Sequence, residues 1–504
     1  MRFTPVLCAA IGAALGFYCV GSFVPAAVLG VLFAAVAALC VFRVLASLAA
    51  TARLQSPQPK PPRLQLLQMP PQQLQRLQLM PVYSTVFAVG LCVGICASVA
   101  ARNDVRFGLP EEKITALNGV LLEDPRLIAG GRAMAAMSLR ETAGSGGVRV
   151  KSRGELTVFF PEEGALKIRE FGRGATVFTE GRLRQSQGAW TFSAQSIHVV
   201  KQASKIERMR TGIRLNLIQR FDGYSWGGLA LALLVGIKDS LDTNLTSIYR
   251  SAGLSYILAL SGMHLAVIAS LVAFLLRKPL GLKAAAIVGA VIIVLYCFIV
   301  GPMPSLNRAA LMYLLGVLAV LGALPKESMS VLALSFLIQI VISPASGNSL
   351  SFILSYLAMI GILIVSKALI SLFSGKAPDF LLQPLSISCG AFLATAGVTC
   401  FAFGELAPSG IIAGLIIVPA TTAFMIGAML WLVLDLVSAS FILNWPMFLL
   451  YQTMEKTAFF AGKAPGISAS KPFLVLAFSV ILSFLIVVLD RKRREALLRL
   501  KPFS

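Results

Sequence analysis

The sequence predicts a polytopic α-helical membrane protein with one inserted extracytoplasmic β domain, a small OB-like barrel. Three observations support this class. The 504 residues are 57% hydrophobic and 13% charged, with a mean hydropathy of +0.82, whereas soluble domains are about one quarter charged. Apolar runs of about 20 residues, long enough to cross a bilayer, recur along the chain. One long polar stretch, between residues 105 and 201, shows the alternating pattern of β-strands.

The first 101 residues predict three membrane spans and a linker. Residues 1–50 form a transmembrane hairpin of two apolar runs, 5–21 and 24–49, and residues 82–101 form a third span. A cleaved signal peptide is the alternative for the first run, but no convincing cleavage site separates it from the second. Residues 51–81 are rich in Pro, Gln and Leu with interspersed basic side chains, which predicts a disordered cytoplasmic linker.

Residues 105–201 predict the β domain, because five alternating segments are separated by turn residues: 113–122, 132–141, 154–160, 175–184 and 190–200. Residues 101–220 contain 20 Lys and Arg against 12 Asp and Glu, a net charge of +8. OB folds often bind single-stranded nucleic acid, so a polyanion is the expected ligand. A basic barrel that only supports the membrane part is the alternative. The candidate DNA-binding residues are Arg149, Lys151, Arg153, Arg182, Arg184 and Trp190.

The second half of the chain predicts the main membrane domain. Residues 204–252 read as amphipathic interfacial helices, since the apolar run at 227–237 is too short to span. Residues 253–489 contain spans at 255–276, 283–300, 303–323, 328–343, 349–370, 383–403, 409–437 and 472–489. The basic tail, 490–504, is predicted to be cytoplasmic. The topology is consistent if 441–460 also spans and the N-terminus is cytoplasmic, or otherwise if 409–437 is re-entrant and broken at Pro419.

Several polar groups fall inside or beside these apolar runs. Ser261 and His264 are three residues apart, so on a helix they share one face. Such a face turns toward other helices or a water-filled cavity, because hydrocarbon offers it no partner. A buried histidine satisfied by the backbone is the structural alternative. The charged residues at comparable positions are Arg308, Glu405, Asp435 and Glu455.

The composition argues against cofactor chemistry. All eight cysteines lie in apolar runs and the chain has two histidines, so neither a disulfide framework nor a Cys/His metal cluster is expected. We expect no cofactor, no metal and no catalytic residue. A Walker A motif is absent from the sequence, so the energy for any transport is expected from a partner or from the membrane potential.

Three stretches resemble one known family. Residues 250–265 read RSAGLSYILALSGMHL, residues 304–312 read PSLNRAALM, and residues 352–358 read FILSYLA. They are similar to signature segments of the ComEC/Rec2 competence proteins, the inner-membrane channels for DNA uptake. Phe403-Gly404 and Pro419 also match the family's Phe-Gly turn and later proline. The resemblance covers about residues 85–440 and includes the order of the domains.

The resemblance implies a channel that passes one strand of incoming DNA into the cytoplasm. It implies single-stranded DNA, membrane lipid, a DNA receptor and a cytoplasmic ATPase or helicase as partners, and leaves a homo-oligomer open. The channel-lining candidates are Tyr256, Ser261, Gly262, His264, Arg308 and Glu405.

The sequence also departs from the family pattern. Tyr256 replaces the family's first histidine, and Gly414 stands where many members have asparagine. Many members end in a metallo-β-lactamase-like domain. Here the chain stops soon after the last span and lacks the His-x-His-x-Asp-His motif, so we expect that domain to be absent.

Two other functions compete with the channel. A secondary transporter or exporter of a small anionic solute would suit the breaks at 301–304 and 404–410, but it would not need a basic β domain. An intramembrane enzyme would use Ser261 and His264 as a nucleophile and base. Neighbours three apart on one helix have no forced hydrogen bond, and oxyanion donors are not evident, so we expect a non-enzyme.

Overall fold

The computed structural model describes residues 5–20, 71–101, 105–128, 130–144, 148–186, 189–322, 327–468 and 472–500. The predicted span at 24–49 and most of the predicted linker lie outside these residues. The chain forms two compact units. The first contains residues 1–102 and 311–353, and the second contains residues 103–310 and 354–504.

In the first unit, α1 (Pro5–Leu15) packs against α2 (Pro71–Ala100) through glycines. A Cβ atom on Gly12 would lie 2.2 Å from the carbonyl oxygen of Phe87, and one on Gly90 would lie 2.0 Å from that of Ala9. Gly16, in the π-helical turn Gly16–Val20 that follows α1, and Gly94 of α2 repeat these contacts one turn further along the chain. The two helices therefore run parallel at close distance, as in membrane packing of the GxxxG type.

Helix α2 begins eleven residues before the span predicted at residue 82. The predicted linker is therefore wrong for residues 71–81. These residues are rich in Gln and Leu, which favour helix, and they follow the proline-rich part of the linker. Pro71 occupies the first helical position, where its missing N–H costs little.

The β domain contains eight strands: β1 (Ile114–Leu121), β2 (Arg126–Leu127), β3 (Ala133–Gly144), β4 (Arg149–Lys151), β5 (Glu155–Phe160), β6 (Thr176–Ser186), β7 (Ala189–Ala194) and β8 (His198–Lys201). Five of them form a closed barrel in the order β1-β3-β5-β7-β6, and β6 pairs again with β1. The β5–β7 pair is parallel and the other pairs are antiparallel. The predicted small barrel is confirmed, and its order is that of an OB-type barrel.

Because successive side chains of a strand point to opposite faces of the sheet, every second side chain points into the barrel. Leu117, Met137, Val158, Val177 and Phe192 have no exposed surface. Helix α3 (Glu162–Phe171) connects β5 to β6 and buries Ile168 against this core.

Four helices lead from the barrel to the membrane helices: α4 (Lys205–Phe221), α5 (Gly227–Val235), α6 (Thr243–Ser251) and α7 (Ser255–Leu258). The sequence predicted interfacial helices for this segment. Helix α4 has an exposed polar face, whereas eight of the nine residues of α5 are buried. None of the four is both long and apolar enough to cross a bilayer.

The remaining helices are α8 (Gly262–Val300), α9 (Pro304–Val320), α10 (Ser328–Ile342), α11 (Leu350–Gly361), α12 (Lys367–Phe373), α13 (Asp379–Phe403), α14 (Ser409–Asp435), α15 (Phe441–Gly462) and α16 (Pro472–Leu500). A π-helical turn, Ile362–Ser366, joins α11 to α12. Among the residues that the structure describes, five stretches are long and apolar enough to span: Gly262–Val300, Leu350–Phe373, Asp379–Phe403, Ser409–Asp435 and Pro472–Glu495. The described part of the chain is thus mostly helical, as predicted for a multi-pass membrane protein.

Helix α8 is a hairpin of two spans. Its backbone leaves the helical region at Gly281, where φ is 77° and ψ is 170°. Leu260 and Met303, just outside its two ends, both pack on Gly236, whereas a straight helix of 39 residues would hold its ends about 58 Å apart. The predicted spans 255–276 and 283–300 are thus antiparallel. Their turn carries Arg277, Lys278 and Lys283, a basic group that predicts a cytoplasmic position. The ends of α8 face the barrel, since Arg210 joins the carbonyl of Phe298 to Asp124 of the barrel.

Candidate functional site

The first signature segment begins in a tight backbone turn at Gly253. Its φ is +70°, and a Cβ atom there would lie 2.5 Å from the carbonyl oxygen of Ala407, so a glycine is required. A Cβ atom on Gly410 would lie 2.9 Å from the carbonyl oxygen of Ala252. The segment therefore packs directly on the connection between α13 and α14, which the sequence had singled out as a break between two spans.

Ser261 is the N-cap of α8 and its backbone is extended, with φ −129° and ψ 174°. Its Oγ accepts a hydrogen bond from the N–H of Met263 at 3.3 Å, and its own N–H donates to Nδ1 of His264 at 3.1 Å. The two side chains also meet, with 3.0 Å between Oγ and Nδ1. This is a capping box in which histidine takes the usual place of Glu or Gln.

The capping box corrects the expectation that Ser261 and His264 share a helix face without a hydrogen bond. Because a backbone N–H donates to Nδ1, the ring proton lies on Nε2. His264 has no exposed surface, and Nε2 has no hydrogen-bond partner among the described residues. The backbone of Ile257 lies near the ring. The contact between Ser261 and His264 is thus part of the N-terminal cap of α8.

Arg308 brings the other two signature segments to the start of α8. Its side chain is 5% exposed, and its Nε donates a 2.7 Å hydrogen bond to Oγ of Ser355. Ser305 lies 3.2 Å from the same hydroxyl. A Cβ atom on Gly262 would lie 3.0 Å from Nη2 of Arg308, so the helix begins against the guanidinium. We call Ser261, Gly262, His264, Arg308 and Ser355 the polar cluster.

Tyr256 lies beside α14. Its side chain is 46% exposed, and its hydroxyl is 3.4 Å from the position that a Cβ atom on Gly414 would occupy. The two departures from the family pattern are therefore neighbours in space. The absence of a side chain at Gly414 leaves room for the long tyrosine, a relationship that the sequence alone did not reveal.

The other charges singled out from the sequence lie elsewhere. Glu405 is exposed in β9 (Glu405–Leu406), which pairs with β10 (Ile467–Ser468). Asp435 accepts hydrogen bonds from Arg220 and, at 3.1 Å, from Oγ of Ser440. Glu455 is half-buried in α15. Of the four charges, Arg308 therefore joins the polar cluster, whereas Glu405 has an exposed position outside it.

The barrel divides the DNA-binding candidates into two groups. Arg149 and Lys151 are exposed on β4, which pairs with the end of β3, and Arg153 is exposed just beyond it. The guanidinium of Arg149 lies 5.4 Å above the ring of Phe178. Trp190 is half-buried against the barrel core, with its ring edge-on to that of Phe107 at 5.2 Å. Trp190 is therefore a packing residue, and its availability for base stacking is reduced.

Arg182 and Arg184 lie on a continuous outer face of the barrel. Arg182 is opposite Ser193 of β7, which is opposite Phe159 of β5. Arg184 is opposite Thr191 in the next row. The half-buried ring of Phe159 was not a candidate from the sequence, but it lies in the same row as an exposed arginine. The face combines two basic groups, small hydroxyls and one aromatic ring.

A charged junction holds the barrel to the membrane part of the same unit. Arg210 of α4 forms a bidentate ion pair with Asp124 of the β1–β2 loop, at 2.7 and 3.1 Å. Its Nε also donates to the carbonyl of Phe298 at 2.8 Å, and Arg214 donates to that of Ile299 at 3.1 Å. These cations bind the C-terminal carbonyls of α8, where the helix dipole favours positive charge. The sequence analysis missed this role, although the four-residue spacing places both arginines on one face of α4.

Burial and pairing shift the pKa values in the junction. Burial opposes ionisation of Asp124, but its hydrogen bond from Arg210 and the charge of Arg214 hold the pKa of that carboxyl below its usual value. Burial lowers the pKa of Arg214 to about 10 despite the nearby Asp124. Burial also raises the pKa of Asp239, which forms a 2.7 Å ion pair with Arg169.

Comparisons with known proteins agree with the geometry of the signature segments. A family model described as Competence protein matches residues 233–494, slightly more than half of the chain. ComE operon protein 3 of Bacillus subtilis (strain 168) is 26% identical over 178 residues. This match covers 33% of the chain and 23% of the relative, so the chain spans less than a quarter of that relative's length. All three segments around the polar cluster fall within the residues matched by the family model.

Proposed function

Because this chain belongs to the competence protein family, whose model covers residues 233–494, we propose that it passes single-stranded DNA across the cytoplasmic membrane. The family supports a role in competence DNA uptake. The strand would meet the basic barrel first and then the polar cluster of the membrane part. No step requires a chemical change of the DNA, so the protein acts as a channel.

The observation that carries the proposal is the assembly of the three signature segments around Arg308. A buried guanidinium, a capped helix start and the buried imidazole of His264 lie together at the start of α8. A polyanion needs a hydrated path with positive charge that attracts it and few deep binding sites that would hold it. One cation with hydroxyl neighbours meets that requirement better than a dense cluster of arginines.

The barrel supports the same function. Its exposed arginines on β6 adjoin hydroxyl side chains on β7 and the ring of Phe159. Basic grooves with aromatic rings bind single strands without strong sequence preference. Arg182 and Arg184 would contact phosphates and Phe159 would stack a base. Arg149, Lys151 and Arg153 form a second basic site on the β3–β4 edge.

The proposal includes partners that the chain requires for directed transport. A DNA receptor would deliver the strand and a cytoplasmic ATPase or helicase would draw it inward, because the sequence lacks a Walker A motif. Lipid surrounds the apolar helices, and we place the protein in the cytoplasmic membrane.

The test is flux through purified protein in liposomes under an imposed membrane potential. Entry of a labelled single-stranded oligonucleotide is compared with entry of a small anionic dye. His264→Ala is compared with His198→Ala, which removes the exposed histidine of the barrel. Oligonucleotide entry that falls in His264→Ala but not in His198→Ala supports the proposal. Dye entry with the oligonucleotide excluded contradicts it and favours the transport of a small anionic solute.

A further inference from the structure

Helix α14 is long and apolar enough to cross a bilayer, yet both of its ends bind the segment that links the barrel to α8. At its N-terminal end, a Cβ atom on Gly410 would lie 2.9 Å from the carbonyl oxygen of Ala252 and 3.0 Å from that of Gly253. This end of α14 is therefore in backbone contact with the residues that follow α6.

The C-terminal end of α14 is attached to α4 and to the residues that follow it. The ring of Trp431 stacks on that of Phe221, with 5.0 Å between centroids, and meets that of Trp226 edge-on at 5.6 Å. One turn further on, Asp435 forms an ion pair with Arg220. Phe221, Trp226 and Trp431 are each at most 2% exposed, so this attachment is a packed core rather than a surface contact.

The linking segment, residues 205–253, does not cross the membrane between these two attachment points. Helices α5 and α6 have nine residues each and are about 14 Å long, against a hydrocarbon thickness of about 30 Å. Helix α4 exposes the polar residues Arg208, Asn216 and Gln219 together with the apolar Ile206 and Met209, a mixed surface that suits the membrane interface. Gly236, directly after α5, packs against Leu260 and Met303 beside the two ends of α8. The segment therefore returns to the side of the barrel after α5, and we place both ends of α14 on that side.

Helix α15 runs back along α14 to the residues that contact the N-terminal end of α14. Asn444 at its start accepts a 2.8 Å hydrogen bond from Nε1 of Trp431. At its end, a Cβ atom on Gly462 would lie 2.5 Å from Oγ of Ser251, and β10 then pairs with β9. The pair of helices thus begins and finishes beside residues 251–253 and 403–410, with its turn beside α4.

We infer that α14 and α15 form a hairpin whose two ends and turn all lie on the barrel side and which covers Tyr256, instead of making two crossings of the bilayer. The hairpin lies over the approach to the polar cluster, since Gly414 of α14 faces the hydroxyl of Tyr256. The turn at residues 436–440, which includes Ser438 with φ 58°, is then extracytoplasmic. This inference concerns topology and stands independently of what the protein transports.

The test is the accessibility of the turn to a membrane-impermeant maleimide in spheroplasts. All native cysteines are replaced, and Ser438→Cys, an exposed position, is introduced into the full chain. Ser193→Cys on the exposed face of β7 is the extracytoplasmic control. Ser374→Cys, between α12 and α13, is the cytoplasmic control, because Arg493 of the basic C-terminal end donates to the carbonyl of Ser371 beside it.

We expect Ser438→Cys to be labelled in intact spheroplasts to the same extent as Ser193→Cys, while Ser374→Cys is labelled after the membrane is opened. If Ser438→Cys is labelled only after the spheroplast membrane is opened, the inference is overturned, and α14 and α15 each cross the bilayer. Val437→Cys, 71% exposed on the same turn, repeats the test if the first variant does not accumulate. Formation of a disulfide in Arg220→Cys/Asp435→Cys checks the attachment itself, and its failure under oxidation also overturns the inference.

Discussion

Nε of Arg308 donates a 2.7 Å hydrogen bond to the hydroxyl of Ser355, across 47 residues of sequence. The same guanidinium lies 5.9 Å from the ring of Tyr356 and packs against Gly262 at the start of α8. One charged side chain therefore connects three segments that are distant in sequence. The proposed path depends on this side chain for both its charge and its position.

Replacement of Arg308 tests whether its charge serves transport. Arg308→Gln removes the charge and should lower the flux of single-stranded DNA by about tenfold, equivalent to about 1.4 kcal/mol in the barrier. Arg308→Lys retains a charge but loses the planar fork that reaches Ser355, so we expect an intermediate flux. Arg491→Gln, at an arginine of α16 whose side chain is 82% exposed, is the control. Wild-type flux in Arg308→Gln would show that the cation is structural.

Replacement of Asp124 tests the junction between the barrel and α8. Asp124→Asn removes the negative charge beside Arg210, which is 2% exposed, and should lower the free energy of unfolding by about 3 kcal/mol at neutral pH, since one partner of a buried pair is lost. Glu111→Gln, at an exposed site before β1, is the control and should change stability little.

The pH dependence of the same variant gives a second test. The pKa of Asp124 is lower in the folded protein than in the unfolded chain, where it is about 3.9. Its stabilising contribution is therefore present above about pH 4 and is lost as the pH falls through the folded value. Thermal unfolding in detergent from pH 7 to pH 3 should show the difference between wild type and Asp124→Asn shrinking at low pH. A difference that stays constant would contradict the charge pairing.

The pattern of apolar residues predicted most of the architecture because burial in lipid or in a barrel imposes a simple period. The alternation in 105–201 predicted the barrel strands closely. The two spans predicted at 255–276 and 283–300 correspond to the two arms of α8, which are separated by the non-helical backbone at Gly281. The charged junction was missed, since the partners of Arg210 are a loop carboxylate and main-chain carbonyls. Main-chain partners leave no side-chain pattern in the sequence.

Ser261 illustrates a second limit of sequence analysis. The spacing of Ser261 and His264 suggested two side chains on one face of a regular helix. Ser261 is instead the N-cap, so its backbone is extended and its side chain turns back toward the first turn of α8. The adjacency of Tyr256 and Gly414 was likewise hidden, because 158 positions separate them and α14 carries the glycine over the tyrosine.

The neighbours Tyr256 and Gly414 should behave as a coupled pair. Gly414→Asn adds a side chain against the tyrosine hydroxyl and should destabilise the protein by about 1–3 kcal/mol through overpacking. Tyr256→His in the same chain shortens the opposing side chain and should recover more than half of that loss. Gly212→Asn, at an open site on α4, is the control. Additive effects in the unfolding measurements would argue against direct contact.

The arginines of β6 should contribute to DNA binding through phosphate contacts. Arg182→Gln/Arg184→Gln should weaken binding of a single-stranded oligonucleotide by the full protein. It should also reduce the slope of log affinity against log salt by about 1.4, or about 0.7 for each contact. Lys167→Gln/Lys205→Gln, at exposed positions on α3 and α4, removes the same number of charges and is the control for net charge. An unchanged salt slope would remove this face from the binding site.

The most direct test of the central claim is crosslinking of a strand stalled during transport. A photoreactive amino acid is placed at Tyr256, and in a control at Phe484, which is 70% exposed on α16. A single-stranded oligonucleotide carrying a streptavidin block at one end is drawn into proteoliposomes by a membrane potential and then irradiated. We predict crosslinks at Tyr256 that require both the potential and the block, and none at Phe484. Equal crosslinking at both positions, or none at Tyr256 while the strand is protected from external nuclease, would contradict a path beside the polar cluster.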